Sequence, residues 1–358
     1  LTSIEVANNK VLIAPLNWGL GHATRCIPII HFLIENNFSP VLASDGDALA
    51  LLKKEFPNLP SIELPSYRIR YSKFAYLTKW KLLFSIHSIR KGVRQEQKII
   101  DELVTKYTFV GLISDTRFGI YHKDISSVYI THQLHVFSGL TTWITSKIHQ
   151  NIISKYDVCW VPDFKGNKGL SGELSKVSKF KIPVEFIGSL SRLEPKKQQK
   201  IKYDVLLLLS GPEPQRSILE TKLLTKFSLF EGKVLLVRGV LNDGALKNVY
   251  KDIEVVNYLT SIELEIAVNS SETVVSRSGY STIMDLAKLN KKTFFIPTPS
   301  QDEQVYLAEY LEQNKIAPFC RQEQFELSML TEINKYSGFT KNYQSELNQD
   351  LLRIFKRD

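Results

Sequence analysis

The feature that most constrains this chain is a succession of short apolar runs, separated by helical patterns, that occurs twice. In the first half the runs are VLIAP (Val11–Pro15), PVLAS (Pro40–Ser44), VGLIS (Val110–Ser114), SVYIT (Ser127–Thr131) and VCWVP (Val158–Pro162). In the second they are DVLLLLS (Asp204–Ser210), KVLLVRG (Lys233–Gly239), IEVVNY (Ile253–Tyr258), ETVVSR (Glu272–Arg277) and TFFIP (Thr293–Pro297). Runs of this length, rich in branched residues and apolar on both faces, are strands of parallel sheets covered by helices on both sides. Helical patterns near Ala23–Glu35, Ser217–Phe227, Thr282–Leu289 and Gln304–Asn314 fall between them. The fold class expected is therefore α/β, with two Rossmann-like doubly wound domains facing a central cleft. The polar, proline-bearing stretch Arg192–Lys202 reads as the linker or its neighbour. Domain limits are set at 1–187 and 188–340, and 341–358 reads as one amphipathic helix that returns to the N-terminal domain.

The chain has 358 residues, enough for two cores of ordinary size without disulfide or metal support. Cys26, Cys159 and Cys320 are odd in number and far apart, with no CxxC or Cys/His cluster. That pattern excludes a disulfide framework and a zinc site, and fits a reducing cytoplasm. The opening LTSIEVANNK is too polar for a signal peptide, and no apolar run approaches the roughly 20 residues of a membrane span. A net charge of +9 points to an anionic partner.

Ligands of doubly wound sheets bind beyond the carboxyl ends of the strands, so the loops there carry the chemistry. Ser276-Arg277-Ser278-Gly279-Tyr280-Ser281-Thr282 follows a strand and opens a helix. Small residues let backbone N–H groups approach an anion, and the helix dipole favours a diphosphate. Asp285 stands one turn further on, where a carboxylate accepts the hydroxyls of a ribose; a plainly capped helix start would look much the same. Gln301-Asp302-Glu303-Gln304 begins the next helix, and Glu303 and Gln304 are suited to sugar hydroxyls or to simple solvation. Ser210-Gly211-Pro212-Glu213-Pro214-Gln215-Arg216 is a poorer cradle, since its prolines remove amide donors, but Ser210, Gly211 and Arg216 remain phosphate contacts to consider. In the first half Gly19, Gly21, His22 and Arg25 lie in a glycine loop that leads into a helix. An imidazole at a helix N-terminus tends to stay neutral, which suits a base.

GLGH after the first strand, SRSGYST after a late strand and an IP…DEQ stretch after the next are similar to the MurG-like glycosyltransferases, GT-B enzymes with a family 28 C-terminal domain. The resemblance implies a nucleotide-sugar donor, uridine-based, on the C-terminal domain and an acceptor, often a lipid diphosphate, on the N-terminal one. It places Gly19, Gly21, His22, Arg25, His132 and Gln133 on the acceptor side. Ser278–Thr282 and Arg192, within Gly188-Ser189-Leu190-Ser191-Arg192, fall at the donor diphosphate. Asp285 falls at the ribose, and Glu303 and Gln304 at the donor sugar. SGPEPQR, Asp285 and Glu303 depart from the family's usual GGS, Glu and Gln.

Two further segments compete. Asp45-Gly46-Asp47 is a DxD triplet of the kind that holds a metal in GT-A enzymes, and Asp47 as the cap of the helix at Ala48–Leu52 explains it as well. Ser66–Arg94 carries Arg68, Arg70, Lys73, Lys79, Lys81, Arg90, Lys91 and Arg94 without an acid, interleaved with aromatics. A solvated helix face accounts for it; an anionic membrane surface is the functional reading, and no nucleic-acid motif accompanies it.

The resulting expectation is an inverting, metal-independent sugar transfer to an acceptor hydroxyl, lipid-linked or of the cell envelope. His22 is the first candidate for the base and Asp115 the second, with no cofactor or metal. The protein is expected in the cytoplasm, peripheral on the inner membrane face. A GT-B-fold sugar-nucleotide epimerase or hydrolase, or a non-catalytic sugar-nucleotide-binding subunit, would fit the same residues.

Overall fold

A computed structural model describes residues 9–67, 75–137, 142–177, 180–196, 199–240, 248–250 and 252–356. The chain forms two compact units. One is built from Leu1–Arg70, Lys79–Leu190 and Gln344–Asp358, the other chiefly from Ser191–Tyr343.

Among the described residues, the first unit holds a seven-stranded sheet: β1 (Lys10–Pro15), β2 (Ser39–Ser44), β3 (Ser61–Glu63), β4 (Phe109–Asp115), β5 (Ser126–Ile130), β6 (Val158–Val161) and β7 (Val184–Phe186). All the pairings are parallel, in the order β3-β2-β1-β4-β5-β6-β7. Helices α1 (Gly21–Glu35), α2 (Gly46–Glu55), α3 (Ala75–Lys106) and α4 (Thr142–Ile153) connect them. Every residue of β1 is buried, as a central parallel strand requires. Its Leu12 and Ala14 pack with Val41, Ala43 and Leu112 against Ile100 of α3, while α1 covers the region of β1 and β2.

The second unit contains β8 (Tyr203–Leu208), α5 (Gln215–Phe227), β9 (Val234–Val237), β10 (Asn248–Tyr250), β11 (Ile253–Val256), α6 (Ser261–Asn269), β12 (Ser271–Ser276), α7 (Tyr280–Lys288), β13 (Lys292–Phe295) and α8 (Asp302–Gln313). Its sheet order is β10-β11-β9-β8-β12-β13, parallel except for the β10–β11 hairpin. Val205, Leu207 and Leu209 pack on Leu219, Leu223 and Phe227 of α5. In each sheet the strand order reverses once, between β1 and β4 and between β8 and β12. Those two switch points are where loops diverge and leave room for a ligand.

Two sequence expectations are corrected, and a third segment is placed. The tail is not an α-helix: residues from Gln344 pair with the loop at Gly188 through a Gly188–Ser345 bridge, and only Gln349–Phe355 coils, as a 3-10 turn. Gly188 has φ +69 and its Cα lies so close to the backbone of Gln344 and Glu346 that a side chain would not fit. Phe355 then sits over Gly111 of β4 and beside Trp160. The residue that caps α2 is Asp45, not Asp47, which lies in the first turn. The Asp45 carboxylate accepts from Arg117 (2.7 Å) and Asn17 (3.2 Å), and Arg117 also binds Glu96 of α3 (2.6 Å). The DxD carboxylate is thus part of a buried ion-pair network that ties the loops after β1, β2 and β4 to α3. Finally, the basic segment Ser66–Arg94 forms part of a 32-residue helix from Ala75 onward, with 68–74 outside the described residues. No helix among the described residues is long and apolar enough to cross a membrane. The three cysteines are free and buried.

Candidate functional site

The first unit's switch point gathers residues that the sequence scatters. β1 runs into a loop where Gly19 adopts φ +96, a conformation that strongly favours glycine. Gly21 then opens α1, which places His22 in the first turn and Arg25 one turn on, over the same side of the helix. β4 is the strand next to β1, and Asp115 is its last residue, paired in register with Pro15. His22 Nδ1 lies 2.8 Å from Asp115 Oδ1. Arg25 donates through Nε and Nη2 to the two carboxylate oxygens of Asp115. Its Nη1 lies 3.2 Å from His132 Nδ1, in the loop after β5. Thr116, held at φ +62, donates its hydroxyl to Asp115 Oδ1 (3.0 Å), and the Cys26 thiol reaches Oδ2 (3.7 Å).

These contacts assign the protonation states. Burial would raise the Asp115 carboxyl, but Arg25 and His22 outweigh it and hold it well below the usual range. Arg25 Nη2 also lies 3.0 Å from His22 Nδ1; with Asp115 ionised, the tautomer that hydrogen-bonds to the carboxylate carries its proton on Nδ1 and leaves Nε2 its lone pair. Burial depresses the basicity of His22 and Arg25 depresses it further, against the pull of Asp115. The imidazole is neutral at pH 7. Asp115 is wholly buried, whereas the His22 side chain is 20 % exposed. The two rival bases of the sequence reading are therefore one assembly, with His22 the reachable member. Arg25, 3 % exposed, points inward and is not a surface for an acceptor. Gly19 is exposed, His132 is buried and Gln133 is half-buried, its backbone N–H on Thr131 Oγ1 (3.0 Å). Cys26 is buried and its thiol is pushed up by burial and by Asp115, so it is no nucleophile.

The second unit's switch point, β8/β12, is shaped differently. Gly279 caps α7 with an extended backbone and no side-chain acceptor, which leaves the first N–H groups of the helix without the usual cap. Ser281 and Thr282 are half-buried there, and Tyr280 is buried. Ser278 is fully buried and donates its hydroxyl to the Gln304 carbonyl (2.7 Å). Gln304 closes the neighbouring loop: its Oε1 accepts from Thr298 N (2.9 Å) and its Nε2 donates to Gln301 (2.5 Å). Glu303 is half-buried in the first turn of α8. Ser210 and Gly211 follow β8, Gly211 at φ +102 and beside Thr298. The Thr298 hydroxyl, missed in the sequence, is buried without a hydrogen-bond partner.

Arg277 and Arg216 look alike in sequence and are both engaged internally. Arg277 donates to the carbonyls of Ile296, Pro297 and Gln215 and to Gln322, which fixes the loop geometry. Arg216 is buried and paired to Glu213 and Glu220, so it is held by α5 rather than presented toward a phosphate. Asp285, by contrast, sits among functional-looking neighbours. Ser191 donates to it (2.5 Å), and Arg192 and Lys288 are close enough to oppose the effect of burial, which still pushes the carboxyl up to about 6. Arg192 itself is anchored to Ser261 at the start of α6 (3.1 Å).

Two Rossmann-like units, each with its polar residues at a strand-order reversal, define a GT-B protein. Residues 206–349 match the glycosyltransferase family 28 C-terminal domain. A 135-residue stretch is 30 % identical to the UDP-N-acetylglucosamine–N-acetylmuramyl-(pentapeptide) pyrophosphoryl-undecaprenol N-acetylglucosamine transferase of Campylobacter hominis, covering 35 % of this chain and 38 % of that relative. In fold the chain resembles the spinosyn rhamnosyltransferase SpnG (TM-score 0.63, 12 % identity, 92 % of this chain and 93 % of that one). A second structure of SpnG is a complex with thymidine diphosphate. Acinetobacter baumannii MurG is also similar (TM-score 0.52, 14 % identity, 92 % and 90 % covered).

Proposed function

We propose that the chain is an inverting glycosyltransferase that moves a sugar from a nucleoside-diphosphate sugar to an acceptor hydroxyl. The observation that carries this reading is the ordered pair His22–Asp115 at the β1/β4 switch point, with a partly exposed imidazole bound through Nδ1 to a buried carboxylate. In the proposed reaction the acceptor oxygen attacks the anomeric carbon as His22 Nε2 takes its proton. The bond from that carbon to the diphosphate breaks, and the leaving nucleotide carries away the electron pair. Charge growing on the leaving group is met by the uncapped N–H groups of α7, with Arg192 adding a fixed positive charge. The Thr298 hydroxyl and the loop at Gly211 add donors at the same end of the sheet. These groups serve in place of a metal ion.

Asp285 is proposed to accept the ribose hydroxyls, and Glu303 to read the donor sugar. Uridine is the proposed base, in line with the donor named for the Campylobacter relative, while the thymidine diphosphate complex of SpnG supports a pyrimidine nucleotide more broadly. A lipid-linked acceptor follows the same relative's undecaprenol substrate. The net charge of +9 and the acid-free segment Ser66–Arg94 support docking on an anionic membrane surface from the cytoplasmic side.

The test is product analysis with a UDP-sugar, with and without hydroxyl acceptors that include polyprenyl diphosphate-linked sugars. Acceptor-dependent formation of an inverted glycoside is expected. Release or epimerisation of the sugar from donor alone, unaffected by any acceptor, would replace the transferase reading with a hydrolase or epimerase.

A further inference from the structure

Arg25 has a place in this assembly that a simple acid–histidine pair lacks. Its guanidinium is almost wholly buried and lies against Asp115 as a fork, Nε to one oxygen and Nη2 to the other. His22 approaches the same carboxylate from the preceding turn of α1. The spacing G-H-x-x-R therefore brings a titrating group and a permanent cation onto one buried anion.

The electrostatic consequence follows from the burial. A carboxylate with no exposure and only an imidazole for company would draw a proton onto that imidazole, since the pair is worth far more charged than separated in a medium of low dielectric. The imidazolium so formed has no lone pair to offer. A fixed guanidinium removes that incentive by neutralising Asp115 itself. The charged and titratable groups that face His22 are Asp115 from β4, Arg25 from α1 and His132 from the loop after β5. Only Asp115 favours the protonated form.

We infer that Arg25 is a positioning residue that keeps His22 neutral, with its proton on Nδ1, by neutralising and clamping Asp115. It touches no substrate. The inference rests on the transferase reading for the meaning of a base, but its test needs neither donor nor acceptor.

The experiment is a nitrogen-15 NMR titration of the histidine side chains of the full chain, with the His22 signals assigned by His22→Gln. In the native protein His22 is expected as the Nδ1–H tautomer, with a midpoint below the ordinary imidazole value. In Arg25→Gln the midpoint is expected to rise by about one pH unit or more. In Arg25→Lys, which returns the charge without the fork, it is expected to fall back part of the way. A His22 that titrates at or above the ordinary value in the native protein overturns the inference, and so does a midpoint that Arg25→Gln leaves unmoved. If Arg25→Gln fails to fold, Arg25→Lys carries the test, and a midpoint no higher than the native one overturns the inference. If His22 behaves as expected but no sugar nucleotide is turned over, the transferase reading fails and the role of Arg25 stands.

Discussion

His22 and Asp115 lie 93 residues apart in sequence, and their side chains meet at 2.8 Å because β1 and β4 are neighbours at the point where the sheet reverses. The pair divides its work by exposure. The aspartate is wholly buried, and the histidine side chain is partly exposed. His22→Ala is expected to lower turnover about 10²- to 10⁴-fold, the usual contribution of a positioned base. Nucleotide affinity, set in the other unit, should be nearly unchanged. Parallel calorimetry with UDP and turnover assays on one preparation check both halves of that statement.

Asp115 also links stability to pH. Its carboxyl is held below its unfolded value, so the unfolded chain binds the extra proton. The stabilisation is therefore complete above the unfolded aspartate value of about 4 and declines as pH falls through it. Asp115→Asn is expected to cost about 3–5 kcal/mol at pH 7, because Arg25 is left buried without its counter-charge. The gap between the variant and the native protein should narrow toward pH 3. Urea unfolding at pH 7, 5 and 3 measures it.

Asp285 runs the other way. Burial pushes its carboxyl up to about 6, so the folded state holds a proton that the unfolded state has lost between about pH 4 and 6. Stability from this group is present below that window and is lost as pH rises through it. A ribose with two hydroxyls to donate prefers the ionised form, so UDP affinity is expected to rise with pH through about 6 and to level off above it. Asp285→Asn should bind more weakly and lose that pH dependence while remaining folded. Calorimetry between pH 5 and 8 checks it.

Thr298 has a buried hydroxyl without a partner, next to Gly211. Thr298→Val keeps the shape and removes the orphan group, so the fold is expected to be as stable or slightly more so. Nucleotide-sugar affinity should fall by about 0.5–1.5 kcal/mol, the worth of one hydrogen bond. A variant that binds as tightly as the native chain would remove Thr298 from the donor site.

The skeleton was legible because a buried parallel strand is written as an unbroken apolar run, as in Val11–Ile13 and Val205–Leu207. β3 and β7, of three residues each, carry too little pattern to register. α6 was readable and overlooked: Thr260 and Glu263 form a capping box, a pattern visible in the sequence. The pairing of His22 with Asp115 was not legible, since it depends on sheet order rather than on spacing. Arg216 misled because a basic residue after a strand suggests phosphate, although Glu213 and Glu220 stand at helical spacing from it. Thr298 could not be found at all, as an unsatisfied hydroxyl exists only once packing has closed around it.

The most direct measurement is a calorimetric titration of the chain with UDP, GDP and dTDP, then with their sugars, repeated on Asp285→Ala. One nucleoside diphosphate and its sugar are expected to bind, and the variant to lose most of that affinity while its fold persists. If none of them binds at millimolar concentration, the second unit does not hold a sugar nucleotide and the proposed transfer has no donor.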